Sequence, residues 1–190
     1  MTFSNRHNSD FVDIQLLLNG SEIQFECHGK FLGIIIDTKL NHRQHIHSIC
    51  NKVSKSIGIF YKLKNIFPQC ILINLCYALI YPYFLYCIVI WGGASASNLD
   101  PVRKLQKRII RLIAGQHYLA NTDPLFAGLK ILKINDIYKF AIAQYMFHNA
   151  GSFGDSRNNP YPTRNANQIA PLFQILALSQ RSINYIGPQI

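Results

Sequence analysis

The stretch Ile46–Leu63, IHSICNKVSKSIGIFYKL, decides the fold, because its apolar residues recur at intervals of three and four. This spacing predicts one amphipathic helix. The apolar positions are Ile46, Ile49, Cys50, Val53, Ile57, Phe60 and Leu63. The opposite side carries Lys52, Lys55 and Lys62. Because such a face must be covered by other apolar elements, we expect the surrounding chain to form a helical bundle.

Upstream of this helix, short apolar runs predict strands. Ile14–Leu18 and Ile23–Cys27 flank an Asn-Gly pair at 19–20, which favours a tight hairpin turn. A third run, Lys30–Ile36, contains Gly33, where the backbone can bend or approach another group closely. We therefore expect a small antiparallel sheet before the bundle.

Downstream, proline and glycine divide the chain into further helices. The apolar run 69–91 predicts a second helix, kinked near Pro82 because proline interrupts helical hydrogen bonding. Asp100 and Pro101 are typical of the first positions of a third helix, and Gly115 is typical of the residue after its end. Between them, apolar residues again share one face: Val102, Leu105, Ile109, Leu112 and Ile113.

Two shorter helices are predicted after these. Asp123, followed by proline, indicates a short helix that runs through Leu129. Asn135 or Asp136 is predicted to cap a last helix, which ends at Asn149. The remainder of the chain is rich in Gly, Ser, Asn, Pro and Arg, which predicts a loosely packed tail.

The expected fold class is therefore α+β, mainly α. A small N-terminal antiparallel hairpin or sheet precedes a helical bundle, and a loose tail follows. The three expected parts are residues 1–40, 41–150 and 151–190.

Composition favours a polyanion as partner. Among 190 residues, Lys and Arg number 19 against 9 Asp and Glu, which gives a formal net charge of +10. Such a field attracts nucleic acid or an anionic membrane surface. From Thr38 to Leu99 there is no carboxylate at all, so this segment cannot build a divalent-metal site from its own side chains. Binding is therefore a better expectation than catalysis.

The third predicted helix concentrates this charge. Its five cations have no acid between them: Arg103, Lys104, Lys107, Arg108 and Arg111. Like charges one turn apart cost helix stability, and a merely solvated face more often mixes signs. We therefore expect phosphate contact here. The alternative is an exposed helix whose long side-chain stems cover apolar surface.

Other chemistry is poorly supported. His42, His45 and His47 have no suitably spaced cysteine or carboxylate, so a metal site is not expected. Five cysteines, an odd number without paired spacing, favour a reducing intracellular compartment, either the nucleus or the cytoplasm. The segment 71–91 has the length of a membrane span, but Asn74 and Pro82 interrupt it, which favours a buried core helix.

Several runs together resemble one family. Residues 30–37, KFLGIIID, followed by Leu40 and His45, are similar to a signature of LINE-type (jockey-like, non-LTR) retrotransposon reverse transcriptases. Further runs resemble later motifs of that family in the same order. They are Leu79–Pro82 with Tyr86 and Trp91-Gly92, Leu105–Arg108, Thr122–Phe126, Tyr161–Arg164, and Ser182-Ile183 with Gly187-Pro188.

The resemblance implies a role for each part of the chain. Residues 1–40 would end the palm with a primer-grip-like hairpin at Lys30, Phe31, Leu32 and Gly33; 41–150 would be a thumb-like bundle; 151–190 would be the tail. The parent activity would be RNA-directed DNA synthesis. The implied partner is an RNA/DNA template–primer, held through its backbone. The candidate nucleic-acid-binding residues are the cations of the two basic helices, chosen from their charge and spacing: Lys52, Lys55, Lys62, Arg103, Lys104, Lys107, Arg108 and Arg111.

The family's catalytic Ala-Asp-Asp motif would lie before Met1, so we expect this chain to be inactive alone. It would hold no cofactor of its own, and Mg²⁺ would be needed only by the complete enzyme. Nothing in the sequence assigns an oligomeric state. Two other readings stay open: a membrane-associated basic helical protein that uses 71–91, and a decayed transposon product without activity.

Overall fold

The computed structural model describes residues 16–23 and 26–149, which contain four strands and seven helices. The strands are β1 (Leu16–Leu18), β2 (Ser21–Ile23), β3 (His28–Phe31) and β4 (Ile34–Asp37). The helices are α1 (Arg43–Leu63), α2 (Gln69–Leu79), α3 (Tyr81–Leu85), α4 (Ile88–Trp91), α5 (Ala96–Ile113), α6 (Asp123–Leu129) and α7 (Ile134–His148). This confirms a mainly helical α+β fold with a small antiparallel β part at its start. The predicted tail, 151–190, lies outside the described residues.

The strands form two separate antiparallel hairpins. In the first, Leu18 pairs with Ser21 across Asn19 and Gly20, whose φ angles are 51° and 80°. Two successive positive φ values are typical of a type I′ turn, so the predicted turn is confirmed.

The prediction of a single third strand over 30–36 is wrong, because this run is a hairpin in itself. Phe31 pairs with Ile34, and the turn is made by Leu32 at φ 46° and Gly33 at φ 82°. A left-handed leucine is unfavourable, so other contacts must hold it in place. One such contact comes from a residue distant in sequence: the Tyr86 hydroxyl donates a hydrogen bond to the Leu32 carbonyl.

Helices α1 and α5 pack along each other and run in the same direction. Near their starts, Asn98 Nδ2 donates to the Asn41 carbonyl at 3.1 Å. Near their ends, Arg108 Nε donates to the Tyr61 hydroxyl at 3.0 Å. The predicted apolar face of α1 is buried at five of its seven positions: Ile46, Ile49, Val53, Ile57 and Phe60.

The other helices close the core around this pair. Trp91 at the end of α4 is fully buried, and its indole Nε1 donates to the Tyr86 carbonyl at 2.9 Å. Gly92 lets α4 approach α7 closely, since a Cβ at this position would lie only 2.5 Å from Tyr138 Cδ2. The hydrophobic core thus extends from α1 to α7.

The prediction of one kinked helix over 69–91 is also wrong, because the run divides into α2, α3 and α4. Pro82 at the start of α3 has no N–H to continue the hydrogen bonding of α2. A second break follows where Tyr86 is extended and Cys87 adopts φ 51°. Within residues 16–23 and 26–149, no helix combines the length and apolar character that crossing a bilayer requires.

Helix α5 begins earlier than predicted. The Ser95 carbonyl accepts hydrogen bonds from the amides of Asn98 and Leu99 at 3.0 and 3.1 Å, which starts the helix at Ala96. Asp100 is therefore not the cap, and its carboxylate instead binds a side chain of the same helix. Pro101 is accommodated inside the helix.

The predicted end of α5 at Gly115 is confirmed. Gly115 has φ 65°, and its amide donates to the Leu112 carbonyl at 3.3 Å. The next amide, that of Gln116, donates to the Arg111 carbonyl at 2.9 Å. This pair of bonds is the Schellman arrangement, which turns the chain sharply away from the helix axis.

Helix α6 has the predicted bounds, but α7 begins before the predicted caps Asn135 and Asp136. A side chain from α5 explains the difference. The amide of Ile134 donates to Oε1 of the buried Gln106 at 2.9 Å, and Gln106 Nε2 donates to the Leu132 carbonyl at 2.9 Å. The first amide of α7 is therefore satisfied by a distant residue.

Candidate nucleic-acid interface

Helix α5 presents its cations opposite a buried face. The buried residues of the helix are Leu99, Val102, Gln106, Ile109, Ile110 and Ile113. Lys104, Lys107 and Arg108 are exposed, whereas Arg103 and Arg111 are half-buried. The amphipathic helix expected from the sequence is therefore present, but its five cations have different surroundings.

Arg103 is occupied by contacts within the protein. Its Nη1 donates to Asp100 Oδ1 at 2.9 Å and to the Ala96 carbonyl at 3.1 Å. Its Nε and Nη2 donate to Asn135 Oδ1 at 3.3 and 3.1 Å. Because these contacts engage most of the guanidinium, Arg103 joins α5 to α7 and is the weakest phosphate-binding candidate of the five.

Arg108 and Arg111 each make a contact that leaves donors available. Arg108 Nε binds the Tyr61 hydroxyl, and its guanidinium carbon lies 5.1 Å from the Tyr61 ring centroid. Arg111 Nε donates to the Ala120 carbonyl at 2.8 Å. A guanidinium has five N–H donors, so both side chains can still bind a phosphate. We define Lys104, Lys107, Arg108 and Arg111 as the basic strip.

Lys107 also borders an ion pair. Lys133 Nζ lies 2.8 Å from Asp123 Oδ1, and both residues line a shallow groove together with Lys107. The hydrogen bond from Lys133 lowers the pKa of the Asp123 carboxyl, with a smaller contribution from the charge of Lys107. Because Asp123 balances the charge of Lys133, this ion pair adds no net charge beside the basic strip.

The lysines of α1 do not join the basic strip. Lys52 Nζ lies 5.7 Å from the Tyr83 ring centroid in α3, whereas Tyr61 contacts α5 on another side of α1. Lys55 and Lys62 are exposed and seven residues apart, so they share the outer face of α1, opposite its buried residues. The eight cations predicted to bind nucleic acid thus lie on more than one surface.

A groove lies beside the basic strip, between the ends of α1 and α5 and the loop after α5. Its volume is about 560 Å³. We call it the tyrosine groove; its lining is Tyr61, Lys64, Arg108, Arg111, Leu112, Gln116, His117 and Tyr118. None of these residues is acidic. Sequence reasoning missed Tyr61, Lys64, His117 and Tyr118, because only the fold brings them next to α5.

The primer-grip-like residues form the tip of the β3–β4 hairpin. Lys30 is exposed, and the exposed fractions of Phe31 and Leu32 are 65% and 74%. Gly33 lies at the turn, and a Cβ there would meet the Tyr86 hydroxyl at 3.6 Å. Two segments that carry the resemblance, 30–33 and the one around Tyr86, therefore touch.

The histidines do not converge on one point. His42 and His45 are buried and His47 is exposed. The Ile35 amide donates to His45 Nδ1 at 3.4 Å, and the His45 ring packs edge-on to Trp91, with centroids 6.1 Å apart. Among the residues that the structure describes, no group of three His, Cys, Asp or Glu is arranged to hold a metal ion.

The burial of His45 predicts loss of stability in mild acid. Burial lowers the pKa of the imidazole, and the positive charges of His42 and Lys52 lower it further. As the pH falls below about 6.5, the unfolded chain binds a proton that folded His45 resists, so the free energy of unfolding decreases. Urea titrations at several pH values measure this effect. His45→Gln should flatten the decrease, whereas His47→Gln at an exposed position should not; equal profiles for all three proteins would contradict the prediction.

With this geometry in place, comparison with known proteins identifies the class: the chain is similar to RNA-directed DNA polymerases of mobile elements. The polymerase from mobile element jockey of Drosophila melanogaster is 28% identical over 150 residues, which cover 77% of this chain. The jockey polymerase of Drosophila funebris is 26% identical over 132 residues, or 67% of this chain. The probable polymerase from transposon X-element of Drosophila melanogaster is 22% identical over 148 residues, or 75% of this chain.

These matches confirm the resemblance to LINE-type reverse transcriptases. They support the interpretation that the chain is a fragment of a retrotransposon RNA-directed DNA polymerase. The matched regions span only 14–16% of the length of these relatives. No family model matches the chain, and no solved structure matches it.

Proposed function

We propose that this chain binds an RNA/DNA template–primer duplex through the phosphate backbone, as the thumb-like part of a retrotransposon reverse transcriptase. One observation carries the proposal: α5 buries its apolar face and presents Lys104, Lys107 and Arg108 to solvent. Cations on one exposed helix face can neutralise several phosphates at once.

The same arrangement favours sequence-tolerant binding. Lysine and arginine contacts to phosphate position a duplex but do not read its bases. On the basic strip, Arg108 and Arg111 are restrained by the contacts with Tyr61 and Ala120, whereas Lys104 and Lys107 are exposed. Affinity should therefore depend strongly on salt and weakly on sequence.

Replacing Lys104 and Lys107 together by alanine should weaken binding of different hybrid duplexes by similar factors. Two phosphate contacts are lost, so the slope of log affinity against log salt concentration should become less negative by about 2. Fluorescence anisotropy with two labelled RNA/DNA hybrids of unrelated sequence, at several salt concentrations, measures both quantities.

The matched control is Lys130→Ala with Lys139→Ala, which removes the same charge from exposed positions after α6 and on α7. Lys133 is unsuitable as a control because it lines the same groove as Lys107. An equal loss in the control variant, or no binding of any hybrid at low salt, would refute the proposed function.

A further inference from the structure

We propose that the tyrosine groove binds an unpaired nucleotide next to the duplex, with its base stacked on Tyr118 and its phosphate held by Arg108 and Lys64. This inference rests on the proposed function, since the groove adjoins the basic strip and shares Arg108 and Arg111 with it. It assigns a second class of ligand, single-stranded nucleic acid, to the same surface.

The charge of the groove suits a phosphate. Lys64, Arg108 and Arg111 contribute three cations, and no lining residue is acidic. Tyr61 holds two of these cations in place, because Lys64 Nζ and the Arg108 guanidinium carbon lie 5.7 and 5.1 Å from its ring centroid. Cations restrained on an aromatic ring lose less freedom when a phosphate binds.

The aromatic side chains suit a base. The exposed fraction of Tyr118 is 71%, and its ring lies against His117 with centroids 4.4 Å apart. Every base has a π-face, so an exposed aromatic ring beside cations is the usual platform for single-stranded nucleic acid. In a duplex the base faces are stacked on one another and are not accessible. Tyr118 would therefore have no base to stack on if the chain bound only the duplex backbone.

The loop that carries Tyr118 is anchored on both sides. At its start, the bonds around Gly115 turn the chain off α5. At its end, the Ala120 amide donates to the His117 carbonyl at 2.9 Å, and the Ala120 carbonyl accepts from Arg111 Nε. The backbone at Tyr118 is therefore held next to the basic strip.

The size of the groove also discriminates between ligands. Its volume of about 560 Å³ lies within the range of roughly 300–1,000 Å³ that is typical of small-ligand sites. A site of this size suits one or two nucleotides and is too small for a double helix.

The test compares a blunt RNA/DNA hybrid with the same hybrid carrying a short single-stranded overhang that contains 2-aminopurine. The full chain should bind the overhang substrate more tightly, and stacking should quench the 2-aminopurine fluorescence. Tyr118→Ala should abolish the quenching and weaken overhang binding by about fivefold or more, without changing the affinity for the blunt hybrid. Tyr118→Phe keeps the ring and should keep both effects.

The matched control is Phe147→Ala, which removes an exposed aromatic ring from α7. It should leave both affinities and the quenching unchanged. Equal binding of blunt and overhang substrates by the unaltered chain would overturn the inference and leave the proposed function intact. Binding of the overhang strand alone, with no affinity for the blunt hybrid, would overturn the proposed function instead. If polyglutamate displaced the overhang substrate as well as unlabelled overhang substrate does, the groove would be a general anion site. This result would also overturn the inference.

Discussion

Replacing Trp91 by alanine is expected to lower the free energy of unfolding by about 3–5 kcal/mol. Trp91 is fully buried, and it is the one tryptophan of the chain. The change leaves a large cavity at the end of α4, next to the His45 ring. It also removes the indole donor that binds the Tyr86 carbonyl. Urea unfolding followed by circular dichroism measures the loss, since the variant has no tryptophan fluorescence.

Trp91→Phe separates the two contributions. Phenylalanine fills much of the cavity but cannot donate to Tyr86, so this variant should lose less stability than Trp91→Ala. Phe147→Ala at an exposed position provides the control for aromatic removal and should change stability by less than about 0.5 kcal/mol. A loss below about 1 kcal/mol for Trp91→Ala would contradict the packing described here.

Trp91 is also linked to the β3–β4 hairpin, because Tyr86 binds both Trp91 and the tip of that hairpin. The Tyr86 carbonyl binds Trp91, and its hydroxyl binds the Leu32 carbonyl at the tip of the β3–β4 hairpin. Leu32 belongs to one segment that resembles the reverse transcriptase family, and Tyr86 and Trp91 belong to a second one. These contacts join the two segments and hold the hairpin against the helices.

Local sequence signals predicted the elements whose boundaries depend on neighbouring residues. The 3.6-residue periodicity correctly predicted α1. The Asn19-Gly20 pair predicted the first hairpin turn, and Gly115 predicted the end of α5. In each of these cases the determining groups lie within a few residues of one another. Their effect is therefore visible in the sequence alone.

Two of the wrong predictions have the opposite property. Leu32 turns where a hydroxyl from Tyr86 satisfies its carbonyl, and α7 starts where Gln106 satisfies the amide of Ile134. These partners are distant in sequence, and no local pattern reveals them. The same holds for the candidate site: the cations of α5 are evident in the sequence, whereas Tyr61 and Tyr118 line one groove only in the folded chain.

Gln106→Leu is expected to lower the free energy of unfolding by about 2–4 kcal/mol, because one buried and one part-buried backbone group lose their partners at once. The Leu132 carbonyl loses the Nε2 donor, and the Ile134 amide loses the Oε1 acceptor, both from bonds of 2.9 Å. Leucine preserves the volume of the side chain, so the loss reports the hydrogen bonds and not a cavity. Thermal or urea unfolding gives the value.

Gln144→Leu makes the same chemical change at an exposed position on α7 and should have little effect on stability. The slope of log affinity against log salt concentration shows whether Gln106→Leu also affects hybrid binding or lowers stability alone. The side chain of Gln106 faces the start of α7, whereas Lys104 and Lys107 face solvent, so the folded Gln106→Leu variant should keep the slope of the unaltered chain. A stable Gln106→Leu variant would show that α7 starts without help from α5. A reduced slope in the folded variant would show instead that the position of the basic strip depends on the contact between α5 and α7.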